Sequence, residues 1–253
     1  VAIIGLLVFT SLFAEILAPY GPLQRNPLYV NGPPMLLHLI DADGAPRLHD
    51  DISFNGDGMI TRFHFHNGQC DFRQRWARTD KWKLENEAGT ALFGAYRNPL
   101  TDDDSVKGQI RSTANTNAWL FGGKLWALKE DSPALVMDPA TMETQGFEKF
   151  GGKMTGETFT AHPKRDPDTG NMVAIGYAAS GMHTDDVTYY EISPEGELVR
   201  EEWFKVPYYC MMHDFAITPD YLVLHIVPSV GSWEQLEAGK DPVEFLRALR
   251  PSS

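Results

Sequence analysis

A series of short alternating segments, separated by turn dipeptides, begins after residue 50 and constrains the fold most strongly. Apolar and polar residues alternate in MITRFHFHNGQCDFRQRWA, where Asn67-Gly68 predicts a tight hairpin turn. Gly122-Gly123 predicts a second hairpin turn in AWLFGGKLWALKEDSPALVMDP, and a Ser-Pro turn leads into a third strand. Further turns are expected at 168–170, 194–196 and 218–220. Consecutive hairpins without a parallel crossover predict an all-β meander, arranged as propeller blades or as a sandwich.

Composition indicates a globular, acidic chain. Its 253 residues, 43% of them hydrophobic, can bury the core of one or two domains. A formal charge of −12 and the lack of a Lys/Arg cluster exclude a nucleic-acid backbone as partner. The two cysteines, Cys70 and Cys210, do not form a CxxC motif, so we expect a reducing, cytoplasmic location and no zinc–thiolate site. These observations leave the oligomeric state open.

Residues 1–18, VAIIGLLVFTSLFAEILA, form an apolar run with a single acid, Glu15. Its length is near the roughly 20 residues that span a bilayer, so we expect an apolar helix that either crosses a membrane or lies in a core. If residues 1–18 cross a membrane, the alternative function is that of a membrane-anchored binding or transport component at the inner membrane. Residues 1–50, through APY-x-P and PP-x-x-x-H, resemble the N-terminal segment of oligopeptide and dipeptide ABC-transporter permeases.

Two histidines and one glutamate form a candidate metal site: His162 in FTAHPKRDPDTGN, His213 in YYCMMHDFAITPDY, and Glu130 in LWALKEDSP. Their separations, 32 residues (130 to 162) and 51 residues (162 to 213), place them on different strand sets and exclude a local HExxH site. That arrangement suits an architecture in which separate blades each contribute one ligand. A carboxylate behind a ligand histidine would orient its ring. Spacing alone is equally compatible with two turn histidines that have ordinary hydrogen-bond partners.

The local context of four other histidines predicts their environments. His64 and His66 share one strand face, which is expected to be solvated, although the pair could bind a metal adventitiously. His225, in LVLHIVP, is expected in the core, and His183, in SGMHTDD, is expected to be exposed.

Several longer motifs resemble the carotenoid cleavage oxygenase family, most closely its lignostilbene α,β-dioxygenase branch. They are FNGDGM, GAYRNPLTDD, NTNAWLFGGKLWALKED, GETFTAHPK, TGNMVAIGYAASG, SPEGELV, KVPYYCMMHDF and LVLHIVPSVGSWEQL. The resemblance implies a seven-bladed β-propeller whose axis holds a non-haem Fe(II) bound by four histidines, three of them backed by glutamate. It also implies cleavage of the central C=C bond of a 4-hydroxystilbene by O₂, which gives two aldehydes.

The resemblance extends to individual residues of the candidate metal site. His162 and His213 match the first two iron ligands, and Glu130 matches a glutamate that supports a ligand. Adjacent residues on a strand point to opposite faces, so a turn or bulge at 131–133 is expected where Glu130 follows Lys129.

Three further positions match residues that line the stilbenoid pocket: Phe54, Tyr96 and Lys129. The resemblance implies that Tyr96 and Lys129 hold the substrate's 4-hydroxyl group. A neighbouring ammonium lowers the pKa of a phenol, so Lys129 would favour the phenolate. A switch to carotenoids or apocarotenoids is the alternative substrate class, which a buried charged residue disfavours.

The resemblance predicts three parts of the chain: a permease-like segment at 1–50, a partial propeller of about three blades at 51–240, and an unmatched tail at 241–253. Two of the family's four histidine ligands have no counterpart in these residues. The chain is therefore expected to be a fragment or fusion with little or no activity by itself.

Overall fold

The computed structural model describes residues 55–94, 96–227 and 233–237. The predicted N-terminal helix, Phe54 and the predicted tail lie outside these residues. Within the described ranges, no helix is both long and apolar enough to cross a membrane. Both cysteines are free thiols; Cys70 is exposed and Cys210 is buried.

Twelve strands and two helices make up the described chain. The strands are β1 Met59–His66, β2 Gln69–Trp76, β3 Asn117–Phe121, β4 Lys124–Leu128, β5 Leu135–Met137, β6 Thr144–Phe147, β7 Lys164–Arg165, β8 Met172–Tyr177, β9 Asp186–Ile192, β10 Leu198–Lys205, β11 Phe215–Ile217 and β12 Leu222–Leu224. The helices are α1 Asp80–Ala88 and α2 Trp233–Glu237, and short 3-10 turns lie at Pro99–Thr101, Asp104–Val106 and Phe150–Gly152.

All strand pairs are antiparallel and join neighbours in the chain, as the turn dipeptides predicted. Two sheets have four strands, in the orders β3-β4-β5-β6 and β10-β9-β8-β7, and β1-β2 and β11-β12 form two-stranded sheets. Asn67 and Gly68 connect β1 to β2 with positive φ angles of 47° and 74°, as a primed hairpin turn requires. Gly122 has a further constraint, because a Cβ there would lie 2.6 Å from the Cα of Gly196.

The core lies between the two four-stranded sheets. Trp126 of β4 stacks with Phe159, and Phe159 stacks with Tyr190 of β9, at centroid distances of 6.0 and 5.6 Å. Every residue of β8 is buried, because its two faces contact different layers. Met172 and Ala174 face the core between the sheets, whereas the alternate residues of β8 pack with β11 and β12. The sheets therefore stack in chain order, and the loops at their ends carry the site.

Three features differ from the sequence predictions. Helix α1 interrupts the strand series; Thr79 caps its N-terminus and Gly89 ends it in the left-handed conformation. His225 is exposed rather than buried. It directly follows β12 and continues the alternation of that strand, in which Val223, two residues earlier, is also exposed. His183 is half-buried rather than exposed, since its ring packs edge-on against Tyr209, 4.9 Å between centroids.

Candidate metal centre

Glu130, His162 and His213, here called the His–Glu cluster, lie together although they come from three different sheets. Glu130 follows the end of β4, His162 precedes β7, and His213 precedes β11. One potential ligand atom from each residue lies within 4.8 Å of those of the other two. The fold therefore brings together the three residues that the sequence singled out, from separate strand sets as predicted.

The two imidazoles face each other through the same kind of nitrogen. His162 Nε2 lies 3.0 Å from His213 Nε2, and the rings meet edge-on at 75°. Metal–nitrogen bonds of about 2.1 Å place two ligands in neighbouring coordination positions at about this separation. Burial lowers the pKa of His162, and the neighbouring His213 lowers it further. Both effects favour a neutral ring, which is the form that binds metals.

An ion pair connects the two chain segments that contain these histidines. Lys164, two residues after His162, places its Nζ 2.6 Å from Oδ1 of Asp214, the residue after His213. The same Asp214 oxygen accepts the backbone N–H of Phe215 at 2.7 Å. The backbone N–H of His162 donates to Thr160 Oγ1 at 3.0 Å. Both histidine backbones are therefore fixed by contacts immediately beside them.

Glu130 supports His213 from behind. Its carboxylate oxygen Oε1 is hydrogen-bonded to His213 Nδ1, and its Oε2 accepts the hydroxyl proton of Tyr177 at 2.7 Å. Glu130 is only 5% exposed, whereas the His213 side chain is 57% exposed. The carboxylate thus lies in the protein interior, whereas the side chain of His213 is largely exposed. This pairing leaves the Nε2 lone pair of His213 as the available ligand.

The buried guanidinium of Arg97 contacts three tyrosine hydroxyls, one of them the Tyr177 hydroxyl that donates to Glu130. It donates to Tyr177 through Nη2 at 2.7 Å, to Tyr209 through Nη1 at 2.8 Å, and to Tyr96 through Nε at 3.1 Å. Burial raises the pKa of Tyr177 far above its ordinary range, so this hydroxyl keeps its proton. No local sequence pattern singles out Arg97 or Tyr177, although both fall within motifs of the family resemblance, GAYRNPLTDD and TGNMVAIGYAASG.

Lys129 and Tyr96 form a second pair near this network. Lys129 Nζ lies 4.8 Å from the centroid of the Tyr96 ring, and Lys129 is 5% exposed. Burial lowers the pKa of Lys129, against the opposing effect of Asp131 and Glu130. Burial also raises the pKa of Tyr96, so its hydroxyl stays protonated. Strand β4 ends at Leu128, and a turn begins at Glu130, so the turn expected near 131–133 is present. Lys129 and Glu130 are both buried.

A second group of potential ligands, His64, His66 and Asp71, is called the hairpin cluster. The two rings are stacked with centroids 5.0 Å apart, and their Nδ1 atoms lie 3.8 and 3.6 Å from Asp71 Oδ2. All three residues are on the exposed β1–β2 hairpin, so the solvated strand face that the sequence predicted is confirmed.

Comparison with known proteins places these observations in a family. The family model described as "RPE65: Retinal pigment epithelial membrane protein" matches residues 27–251. That range begins inside the segment likened to ABC permeases and ends inside the predicted tail. The comparisons give the permease resemblance no support.

Individual relatives agree with the family match. The chain is 58% identical over 199 residues to lignostilbene-α,β-dioxygenase isozyme III of Sphingomonas paucimobilis, covering 79% of this chain and 41% of the relative. It is 48% identical to resveratrol cleavage oxygenase 1 of Aspergillus fumigatus, covering 79% and 40%.

A solved structure extends the likeness to the fold. The crystal structure of Pseudomonas brassicacearum lignostilbene dioxygenase superposes with a TM-score of 0.71 at 42% identity, over 77% of this chain and 40% of that one. The chain thus spans about two fifths of the length of the curated relatives it matches. With a family model matched over most of its residues, the chain belongs to the RPE65/carotenoid cleavage oxygenase family.

Proposed function

We propose that this chain supplies the first half of the metal centre, and the phenol-binding residues, of a non-haem Fe(II) dioxygenase. The reaction is cleavage of the central C=C bond of a lignostilbene-type 4-hydroxystilbene. One O₂ and one alkene give two aldehydes, so no further reductant is needed. The observation that carries this proposal is the convergence of His162 Nε2 and His213 Nε2 in front of a buried glutamate.

The donor set suits Fe(II). Neutral imidazoles bind Fe, Zn, Cu and Ni, so the His–Glu cluster by itself indicates a metal centre, and family membership supports iron. His162 and His213 would hold the ion, and Glu130 would keep the Nδ1 proton on His213 so that Nε2 faces the metal. Bound Fe(II) would supply the site at which O₂ is activated beside the substrate.

The phenol end of the substrate is assigned to Lys129 and Tyr96, with Phe54 as a further pocket residue. The Lys129 ammonium would pair with a phenolate oxygen, which can accept from Tyr96 at the same time. A phenolate pushes electron density through the ring toward the central double bond, which makes the bond more reactive toward oxygen. The names of the two similar enzymes fit this assignment, because lignostilbenes and resveratrol both carry phenolic rings on a stilbene.

Cleavage of carotenoids or apocarotenoids is compatible with the family but is less well supported. The Lys129 side chain is almost completely buried beside Tyr96. A polyene offers neither a hydroxyl group nor an anion to these two polar side chains. A cytoplasmic location and a blade count of about three stay predictions.

Product analysis tests the proposal on the protein that contains this chain. The protein is loaded with Fe(II) under anaerobic conditions, mixed with a trans-4-hydroxystilbene, and then exposed to O₂. We expect the two aldehydes in equal amounts, and far less turnover of the 4-methoxy analogue, which cannot form a phenolate. Iron-loaded protein that makes no aldehyde, or that cleaves both substrates equally well, would contradict the proposal.

A further inference from the structure

We propose that Arg97 is a positioning residue of the metal centre, acting through Tyr177 and Glu130 to fix which nitrogen of His213 faces the metal. This inference rests on the proposed function, because it assigns a role to residues behind the proposed iron ligands. Arg97 does not reach the metal or the substrate itself. Three hydrogen bonds connect it to His213 Nδ1, the ring nitrogen that does not bind the ion.

Each hydrogen bond in this network has one possible direction. A guanidinium can only donate, so at Tyr177 the hydroxyl oxygen accepts from Arg97 Nη2, at 2.7 Å. A tyrosine has one hydroxyl proton, and here it points to Glu130 Oε2, also at 2.7 Å. Because Glu130 accepts there, its other oxygen is available for the Nδ1 proton of His213. His213 must then present Nε2 as a lone pair.

Burial and backbone geometry hold this chain of bonds in place. Arg97 is 6% exposed, Tyr177 1% and Glu130 5%, so water does not compete for these bonds. The backbone of Arg97 has a φ of 56°, a left-handed conformation that is unfavourable for a residue with a Cβ. The surrounding contacts must stabilise Arg97 in this conformation. A buried cation that makes three side-chain hydrogen bonds from an unfavourable backbone conformation is expected where its position serves a function.

The same guanidinium also contacts the proposed phenol pocket. Arg97 Nε donates to the Tyr96 hydroxyl at 3.1 Å, so the Tyr96 oxygen uses a lone pair on Arg97. The Tyr96 hydroxyl proton therefore points away from Arg97, just as the Tyr177 hydroxyl proton points away from Arg97 and toward Glu130. One residue thus sets the orientation of a hydroxyl on the metal side and of one on the substrate side. Replacing Arg97 should therefore change metal affinity and KM for the phenol together.

Tyr177→Phe isolates the metal side of this network, because it removes one oxygen and leaves Arg97 in place. The matched control is Tyr190→Phe, which also removes a fully buried hydroxyl from the β7–β10 sheet, where it donates to Thr158 at 3.1 Å. Co(II) is the probe, added anaerobically to the metal-free protein and followed by its visible absorption. We expect Tyr177→Phe to weaken Co(II) binding by about 10- to 100-fold and Tyr190→Phe by less than about twofold.

Equal Co(II) affinity and equal spectra in the parent and in both variants would overturn the inference. A parent that binds Co(II) and forms aldehydes, while Tyr177→Phe does the same, would refute the role of Arg97 and leave the proposed function intact. A parent that neither binds Co(II) nor forms aldehydes would refute both. Arg97→Lys, with folding checked by thermal unfolding, is the second variant. Its three donors share one nitrogen and cannot replace the separate Nε, Nη1 and Nη2 donors of the guanidinium, so we expect weaker Co(II) binding and a raised KM. Parental values for both would also overturn the inference.

Discussion

The His–Glu cluster and the hairpin cluster contain the same kinds of ligand, two histidines and one carboxylate, yet they are built differently. In the His–Glu cluster the carboxylate of Glu130 is 5% exposed and is held by Tyr177. In the hairpin cluster the carboxylate of Asp71 is 67% exposed, on the same hairpin as both histidines. Ligand type therefore does not distinguish the two groups. The buried, hydrogen-bonded carboxylate distinguishes them, because it fixes the tautomer and the orientation of a ligand histidine before a metal binds.

Loss of a ligand histidine should have the largest effect. His162→Ala or His213→Ala removes half of the imidazole pair, and we expect aldehyde formation to fall by about 1000-fold or more, since bound metal contributes several kcal/mol. Steady-state product analysis measures this, together with iron content. Either variant retaining more than about a tenth of the parental rate would show that the His–Glu cluster is not the metal centre.

Replacing the supporting carboxylate should have a smaller but clear effect. In Glu130→Gln the acceptor for the Nδ1 proton of His213 loses its charge, and we expect metal affinity to fall by up to about 100-fold. Asp71→Asn makes the same chemical change in the hairpin cluster and should leave the affinity of the metal centre unchanged. Metal titration of both variants checks the difference. Similar losses in both would remove the distinction between the clusters.

Lys129→Met tests the substrate side and leaves the metal ligands untouched. Losing one charge-assisted hydrogen bond costs about 1.5 kcal/mol or more, so we expect KM for a 4-hydroxystilbene to rise about tenfold. Iron content should stay at the parental level. An unchanged KM would contradict the assignment of Lys129 to the phenolate.

The pH dependence of this variant series follows from the pKa of Lys129. Burial lowers this pKa from its ordinary value, so the ammonium is present at low pH and is lost as pH rises through the folded value. We therefore expect kcat/KM of the parent to decrease as pH rises, with a midpoint below pH 10.5, the ordinary lysine pKa. Lys129→Arg, which stays charged, should move that alkaline limb to higher pH. Identical pH profiles would show that another group titrates there.

The ion pair between Lys164 and Asp214 should contribute modestly to the alignment of His162 with His213. Its side chains are 29% and 57% exposed, so screening limits its strength, and Lys164→Met should reduce metal affinity by no more than about fivefold. Lys205→Met breaks the exposed pair with Asp185, at 2.6 Å, and serves as the control with no expected effect. If Lys164→Met reduced metal affinity as much as Glu130→Gln, then the alignment of the two histidines would matter more than the hydrogen bond from Glu130 to His213.

The smallest effect is expected at the hairpin cluster. The double variant His64→Ala/His66→Ala should keep its aldehyde formation within about twofold of the parent, because exposed surface substitutions away from a site rarely matter. Any weak binding of Zn(II) or Ni(II) at the hairpin should disappear. Loss of iron from this variant would contradict the comparison between the two clusters.

Sequence reasoning predicted the hairpins well, because each turn carries its own signal. Asn67-Gly68 and Gly122-Gly123 need no distant contact to form, and the meander follows from them. The family motifs also identified Glu130, His162 and His213, which the fold then brings together. The β-rich class is confirmed, while the blade count stays a prediction.

The network behind the ligands could not be predicted from single segments. Arg97 and Tyr177 are 80 residues apart and Tyr177 and Glu130 are 47 apart, so no local pattern links them. His225 was placed in the core because its neighbours are apolar, but its side depends on the register of β12, which alternates exposed and half-buried residues. Contacts and sides of this kind depend on tertiary packing, which a run of residues does not encode locally.

Iron-dependent aldehyde release tests the assignment of the metal centre most directly. A 4-hydroxystilbene and O₂ are supplied to the protein containing this chain while Fe(II) is titrated into the metal-free form, and both aldehydes are quantified. We predict equal amounts of the two aldehydes, with a rate that saturates at one iron per active site and is abolished in His213→Ala. Aldehyde release that is independent of iron, or that is unchanged in His213→Ala, would contradict it.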